Sequence, residues 1–125
     1  MNVRELIKRI DGTLISNSAD LEAEVVGCGG ADLMSDVLTS IQPHSVLITG
    51  LCNPQVVRTA EMADVMAIVL IRGKSPNEET IRLAEEVDIP LISTPYGMFE
   101  VSGRLYKAGI PCFERPFSSN ATVFD

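Results

Sequence analysis

Three times along this 125-residue chain, an apolar run ends in a polar residue that is followed directly by proline. The junctions are Asn53-Pro54, Ser75-Pro76 and Thr94-Pro95. A continuous apolar run is typical of a strand buried on both faces, and a polar capping residue before proline is typical of the first turn of a helix. Repeated strand-to-helix junctions therefore predict parallel strands whose carboxyl ends share one edge of a sheet, where ligands bind in open α/β folds.

The order of the runs predicts a three-layer α/β sandwich, with a mostly parallel sheet of about five strands and helices on both faces. Residues 65–71 form the most hydrophobic run and are expected to be the central strand. Asp32 is expected to cap the helix that follows the second strand. The other predicted strands are residues 13–15, 23–27, 45–49 and 90–93. The predicted helices are residues 1–11, 33–41, 54–62, 76–88 and 98–108.

The chain is expected to form one domain over residues 1–125, because a chain of this length supports a single core. Residues 17–20 are predicted to be a polar turn. Residues 110–125 are expected to be a C-terminal tail or an edge strand, with residues 112–117 as the candidate strand.

The composition disfavours several classes of function. The formal net charge of −7 disfavours nucleic acid and anionic membrane surfaces as partners, because both attract Lys and Arg. No apolar stretch reaches the ~20 residues that a membrane helix needs. The leading residues mix charged and apolar side chains and predict an amphipathic helix, not a signal peptide. The three cysteines, without a CxxC motif, predict reduced thiols and a cytoplasmic protein.

One long segment carries a family resemblance. It reads SVLITGLCNPQVVRTAEMADVMAIVLIRGKSPNEETIRLAEEVDIPLISTPYGMFEVSGRLY. This segment resembles the DRTGG domain family, which is related to the N-terminal domain of bacterial HPr kinase/phosphorylase. The earlier elements fit in order, so the resemblance extends from Val3 to about Gly109, and it is most specific in IRGKSPNEETIRLAEEVDIPLIST.

The resemblance has two departures. The five-residue motif that names the family is absent, and TGLCNPQ stands at the equivalent strand end. The catalytic half of HPr kinase, with its phosphate-binding loop, is also absent. The resemblance therefore implies a fold and a regulatory or ligand-sensing role without kinase activity. In this family the domain accompanies enzymes such as phosphotransacetylases and certain pyrophosphatases, and stand-alone versions are similar to small proteins encoded near iron hydrogenase genes.

The predicted strand ends form a candidate ligand site. Glycine lets backbone amides approach a ligand closely, and helix N-termini attract anions. Arg72 and Lys74 add positive charge, so the predicted ligand is a small anionic metabolite or a nucleotide. The alternative is that the glycines only make tight turns, since neither GxxxxGK[ST] nor GxGxxG is present. The residues assigned to this site are Gly29, Gly30, Thr49, Gly50, Asn53, Arg72, Gly73, Ser93 and Thr94.

Catalysis is not expected. The single histidine, His44, is predicted at the opposite ends of the strands, so no Ser-His-Asp or Cys-His arrangement can be built. Cys28 and Cys52 both follow predicted strands, but a metal would need more ligands, and the alternative is two small buried hydrophobic residues. The sequence thus predicts a non-enzyme with no metal and no cofactor.

A second class of function stays open. A ligand-free interaction module could form a homodimer, or dock on a metabolic or redox enzyme of the hydrogenase type. Two features of the sequence suit this role: residues 95–99, with two aromatic side chains beside a glycine, and the apolar tail residues Val123 and Phe124. For residues 95–99, a flexible cover over the ligand edge and packing against the neighbouring helix are the other interpretations.

Overall fold

The computed structural model describes residues 1–16 and 20–117. Most of the predicted polar turn, as well as Val123 and Phe124, lies outside the described residues. Helices and strands follow one another in the order α1 Val3–Arg9, β1 Thr13–Leu14, β2 Cys28–Gly30, α2 Met34–Ser40, β3 Val46–Thr49, α3 Pro54–Met62, β4 Ala67–Leu70, α4 Glu78–Glu86, β5 Leu91–Ser93 and α5 Met98–Lys107. Within the part of the chain that the structure describes, no helix is long and apolar enough to cross a bilayer.

The strands form one sheet in the order β1-β5-β4-β3-β2. Strands β2 to β5 are parallel to one another, and β1 pairs antiparallel with β5. Strand β4 is central, as its hydrophobic run predicts, and every residue of β3 and β4 is buried. The mostly parallel five-stranded sheet confirms the predicted fold class.

Helices cover both faces of the sheet because successive strand residues point to opposite faces. On one face the core joins the sheet to α1 and α5. On the other face it joins the sheet to α2, α3 and α4. The sheet residues of the α1–α5 face include Val46, Ile48, Val69 and Ile92. Those of the other face include Leu47, Ile68, Leu70 and Leu91.

Of the three polar residues that precede a proline, only Asn53 caps the helix that follows it. The Asn53 side chain accepts a hydrogen bond from the Val56 amide, and Pro54 occupies the first turn. The cap predicted at Ser75 is wrong, because Asn77 caps α4 instead. The negative charges of the two glutamates that follow Asn77 stabilise the helix by interacting with the positive end of its dipole. Thr94 caps no helix either, because its buried hydroxyl donates to the Ile10 carbonyl, and α5 begins at Met98, where the predicted helix of residues 98–108 begins.

The second strand is displaced from its predicted position. Residues 23–27 do not form it, and Gly29 and Gly30 lie inside β2 instead of in a turn after it. The C-terminal segment, residues 111–117, runs beside β2 and bonds to it at Cys28. A Cβ atom at Gly27 would lie 2.2 Å from the Phe113 ring, so a larger residue there would displace the segment.

The predicted edge strand at residues 112–117 forms only two isolated bridges, Cys28 with Cys112 and Ile41 with Glu114. The first is parallel and the second antiparallel. The segment thus covers the free side of β2 without becoming a regular sixth strand.

Candidate functional site

The four parallel strands end at one edge of the sheet, as predicted. This carboxyl edge comprises residues 30–32, 49–53, 71–74 and 93–97. Backbone hydrogen bonds join neighbouring strand ends, from the Ala31 amide to Ile48, from Ile71 to Thr49 and from Thr94 to Leu70. Apart from Gly29, which lies inside β2, the residues assigned to the site from the sequence therefore lie along one edge, in the order of their strands.

The half of the edge formed by β2 and β3 is negatively charged. Asp32 does not cap α2, whose N-cap is Leu33. Its carboxylate instead accepts hydrogen bonds from the Gly50 amide at 2.8 Å and the Thr49 hydroxyl at 3.1 Å. The Glu114 carboxylate accepts one from the Gly30 amide at 2.7 Å. The amides expected to receive an anion from outside thus already bind carboxylates of the chain itself.

Several other assigned residues are engaged in the fold. The Asn53 side-chain oxygen caps α3. A Cβ atom at Gly29 would lie 2.6 Å from the Ile41 side chain, which leaves no room for a ligand there. The Thr94 hydroxyl faces α1, where it donates to Ile10 at 2.6 Å. The Ser93 hydroxyl donates to the Lys74 carbonyl at 3.3 Å, at the edge itself.

The half of the edge formed by β4 and β5 is positively charged and is built on an unusual turn. Arg72 and Gly73 both have left-handed backbone conformations, with φ of 58° and 63°. Their amides donate to the carbonyls of Tyr96 at 2.8 Å and Thr94 at 2.7 Å, which hold the turn against the loop after β5. A left-handed arginine is uncommon, since its side chain crowds the backbone there.

The Arg72 guanidinium lies beside the start of α5. Its Nε, Cζ and Nη2 atoms lie 3.8–3.9 Å from the position that a Cβ atom at Gly97 would take. Within residues 1–16 and 20–117, this guanidinium has neither a hydrogen bond nor an ion pair. Gly97 is the N-cap of α5 and offers no side-chain cap, so none of the described side chains accepts a hydrogen bond from the first amides of the helix.

Two independent sources of positive potential thus meet at Arg72 and Gly97: a guanidinium and the amino end of a ten-residue helix. Gly97 was not assigned to the site from the sequence. The sequence only weakly indicated that Gly97 belongs to the site, because a glycine after Pro95-Tyr96 is equally typical of a turn.

Lys74 adds a second cation at this edge, close to Cys52. Burial raises the pKa of the Cys52 thiol, and the nearby Lys74 ammonium partly opposes that rise. Among the described residues, no three His, Cys, Asp or Glu side chains gather closely enough to hold a metal ion. The positive half of the edge is therefore suited to an anion.

Tyr96 anchors the loop between β5 and α5. Its hydroxyl donates to the Asp11 carboxylate, and the Arg104 guanidinium stacks over its ring at 4.1 Å. The hydrogen bond to Asp11 raises the pKa of the Tyr96 hydroxyl, because it favours the protonated form. Tyr96 is half-buried, whereas Phe99, the second residue of α5, is 92% exposed.

Comparison with known proteins identifies relatives of this chain. A family model described as the DRTGG domain matches residues 5–108. None of the curated proteins matches the chain significantly. A similar solved structure is that of the CBS and DRTGG domains of the regulatory region of Clostridium perfringens pyrophosphatase, complexed with its activator, diadenosine tetraphosphate. The TM-score is 0.69 at 17% identity, over 95% of this chain and 51% of that chain.

Proposed function

The chain belongs to the DRTGG domain family, and from this premise we propose that it is a non-catalytic regulatory domain that binds a small anionic ligand at the carboxyl edge. The similar pyrophosphatase structure is of a regulatory region whose activator, diadenosine tetraphosphate, is a polyanion. That region also contains CBS domains, and this chain spans about half of its length. The comparison therefore supports the class of function, and the site must be argued from this chain.

The observation that carries the proposal is the Arg72 guanidinium, which has no partner among the described residues and lies beside the start of α5, where Gly97 offers no side-chain cap. Phosphate oxygens accept hydrogen bonds both from guanidinium groups and from the first amides of a helix. Open space surrounds Gly73, so a ligand can approach the backbone there. We assign the anion contacts to Arg72, Gly73 and Gly97, with Ser93 and Lys74 at the margin.

The remaining assigned residues have a supporting role in this proposal. The amides of Gly30 and Gly50 bind Glu114 and Asp32, and these carboxylates would repel a phosphate from the β2–β3 half of the edge. Asn53 and Thr94 hold α3 and α1 in place. The ligand is thus confined to the positive half, next to the loop that Tyr96 anchors.

The experiment is a thermal-shift and calorimetric screen with nucleotides and phosphorylated metabolites, including ATP and diadenosine tetraphosphate. A ligand at ~100 times its Kd should stabilise the protein by about 2.7 kcal/mol. Arg72→Gly removes the charge and accommodates the positive φ, so it should fold normally and bind at least about tenfold more weakly, or about 1.4 kcal/mol.

Arg82→Ala is the control, because it removes the same charge from the exposed face of α4. It should bind as the wild type does. The proposal fails if no compound in the panel shifts the melting temperature, or if Arg72→Gly binds as tightly as Arg82→Ala.

One observation favours the alternative of a ligand-free interaction module. Phe99 and Tyr106 are 92% and 74% exposed, and they flank Gly103 on the outer face of α5. Exposed aromatic side chains on one helix face suit a protein contact, either in a homodimer or on a metabolic or redox enzyme. Light scattering over a range of concentrations tests the homodimer: Phe99→Ser should weaken self-association if this face forms the dimer.

Two further predictions stay predictions: the extent of the domain over residues 1–125, and a cytoplasmic location.

A further inference from the structure

Cys28 and Cys112 lie opposite each other where the C-terminal segment runs along β2. The Cys28 amide donates to the Pro111 carbonyl at 3.0 Å, and the Phe113 amide donates to the Cys28 carbonyl at 2.7 Å. These two bonds flank Cys112, so the two cysteines are direct partners in a parallel bridge. They are 84 residues apart in the sequence, and only the fold brings them together.

This geometry brings the two thiols within reach of each other. Neighbouring strands lie about 4.8 Å apart, and paired residues of parallel strands point to the same face. Disulfides join Cα atoms that are roughly 4.4–6.8 Å apart. Both cysteines also line one cavity of about 100 Å³ between β2, α5 and the C-terminal segment. The C-terminal segment pairs with its neighbours through isolated bridges and not as a regular strand, so it can shift slightly. A small shift would bring the two sulfur atoms to bonding distance.

The third cysteine is placed elsewhere. Cys52 packs against the α2–α3–α4 face of the sheet, whereas Cys28 belongs to the core on the α1–α5 face. Cys52 is therefore separated from the pair by the sheet itself. This separation allows Cys52 to be replaced without disturbing the other two cysteines.

We propose that Cys28 and Cys112 form a redox-active pair that closes into a reversible intramolecular disulfide when the protein meets a small-molecule disulfide such as oxidised glutathione. The exposed Cys112 thiolate attacks the small disulfide, which forms a mixed disulfide and releases one small thiol. The Cys28 thiolate then attacks the Cys112 sulfur and releases the second. Two protein thiols and one small disulfide give one protein disulfide and two small thiols.

The unequal environments of the two thiols set this order of events. Cys112 is exposed, and Cys28 is 9% exposed in the wall of the cavity. Burial raises the pKa of the Cys28 thiol to about 12, so it is a poor first nucleophile and acts second, on a sulfur already held beside it. The disulfide would tie the C-terminal segment to β2 and keep Glu114 at the Gly30 amide.

The test uses the full chain with Cys52→Ser, because trypsin leaves residues 28 and 52 in one peptide: no Lys or Arg lies between residues 9 and 58. After treatment with oxidised glutathione, the intact protein should become lighter by two hydrogen atoms. Mass spectrometry should find the peptides of Cys28 and Cys112 cross-linked within one chain, and dithiothreitol should reverse this. The melting temperature should rise in the cross-linked form.

The double variant with Cys112→Ser in addition should neither lose the two hydrogen atoms nor gain stability. Three results would overturn the inference. The first is a stable mixed disulfide at Cys112 while the Cys28 thiol can still be alkylated under denaturing conditions. The other two are a cross-link between two chains and the absence of oxidation at Cys112. None of these outcomes depends on a ligand at the carboxyl edge, so the inference stands or falls independently of the proposed function.

Discussion

The C-terminal segment covers β2 and determines the surroundings of individual side chains there. The Cys28 thiol is the clearest case, because burial, with a smaller contribution from Cys112, raises its pKa from 9.0 to about 12. A thiol that keeps its proton only in the folded state makes stability depend on pH.

Alkaline pH should therefore destabilise the protein through Cys28. Between pH 9 and about pH 12 the unfolded chain loses the thiol proton and the folded chain keeps it. The free energy of unfolding then falls by up to about 1.4 kcal/mol per pH unit, and below this window the contribution is fully present. Urea unfolding of the wild type and Cys28→Ala, both under reducing conditions, measures it. Parallel pH profiles of the two proteins would contradict the assignment.

The glycines of this chain differ in what surrounds them. Gly27→Ala should destabilise the protein by about 1–3 kcal/mol, since overpacking forces neighbours to move. The new Cβ would lie 2.2 Å from two atoms of the Phe113 ring. In a Phe113→Ala background the same substitution should cost much less, and urea unfolding of the four proteins gives the coupling energy. Gly103→Ala is the control: it enters open space within α5 and should be neutral or stabilising by up to about 1 kcal/mol.

At the scale of the element, two helices begin where an asparagine side chain satisfies a free amide of the first turn. Asn53 and Asn77 do so for α3 and α4, whereas Ser75 lies two residues before the cap of α4. A proline that follows a polar residue marks the approach to these helices, and the hydrogen bond from the asparagine to the first turn marks where each one begins.

Asn53→Ala and Asn77→Ala should each lower the free energy of unfolding by about 1 kcal/mol, because each leaves an amide of the first turn without its acceptor. Asn77→Ala also removes the acceptor of the Thr80 hydroxyl, which is buried, so it should cost at least as much. Ser75→Ala is the matched control and should change stability by less than about 0.5 kcal/mol. A larger effect at Ser75 than at Asn77 in urea unfolding would restore the cap first predicted at Ser75.

At the scale of the whole molecule, the C-terminal segment closes one side of the sheet. It bonds to β2 and, through Gln42 and Ser40, to the end of α2 and the residues after it. A bare edge strand exposes unpaired amides and carbonyls, which favours pairing with another chain. The segment therefore protects β2 as well as supplying Glu114 to the carboxyl edge.

Removal of residues 111–125 should lower stability and promote self-association, which size-exclusion chromatography with light scattering and thermal melting would detect. The shorter truncation, of residues 118–125, leaves every described contact of the segment in place and serves as the control. If the protein without residues 111–125 stays monomeric and has the melting temperature of the wild type, the C-terminal segment is not needed to protect the edge of β2.

The sequence alone determined the α/β class, the central position of β4 and the common edge at which the parallel strands end. These features follow from local signals: apolar runs of strand length, and strand-to-helix junctions that repeat along the chain. The family resemblance, found from the same residues, is confirmed by the match over residues 5–108.

Only the tertiary structure decided which residues of that edge are available. Glu114 meets the Gly30 amide across 84 residues of sequence, Asp32 leaves its expected cap for Gly50, and the Arg72 guanidinium lies beside Gly97. The same holds for the close packing of the Phe113 ring against Gly27. The local sequence shows which residues can donate or accept hydrogen bonds. Their partners depend on how distant segments of the chain pack against them, and this packing divides the edge into a negative and a positive half.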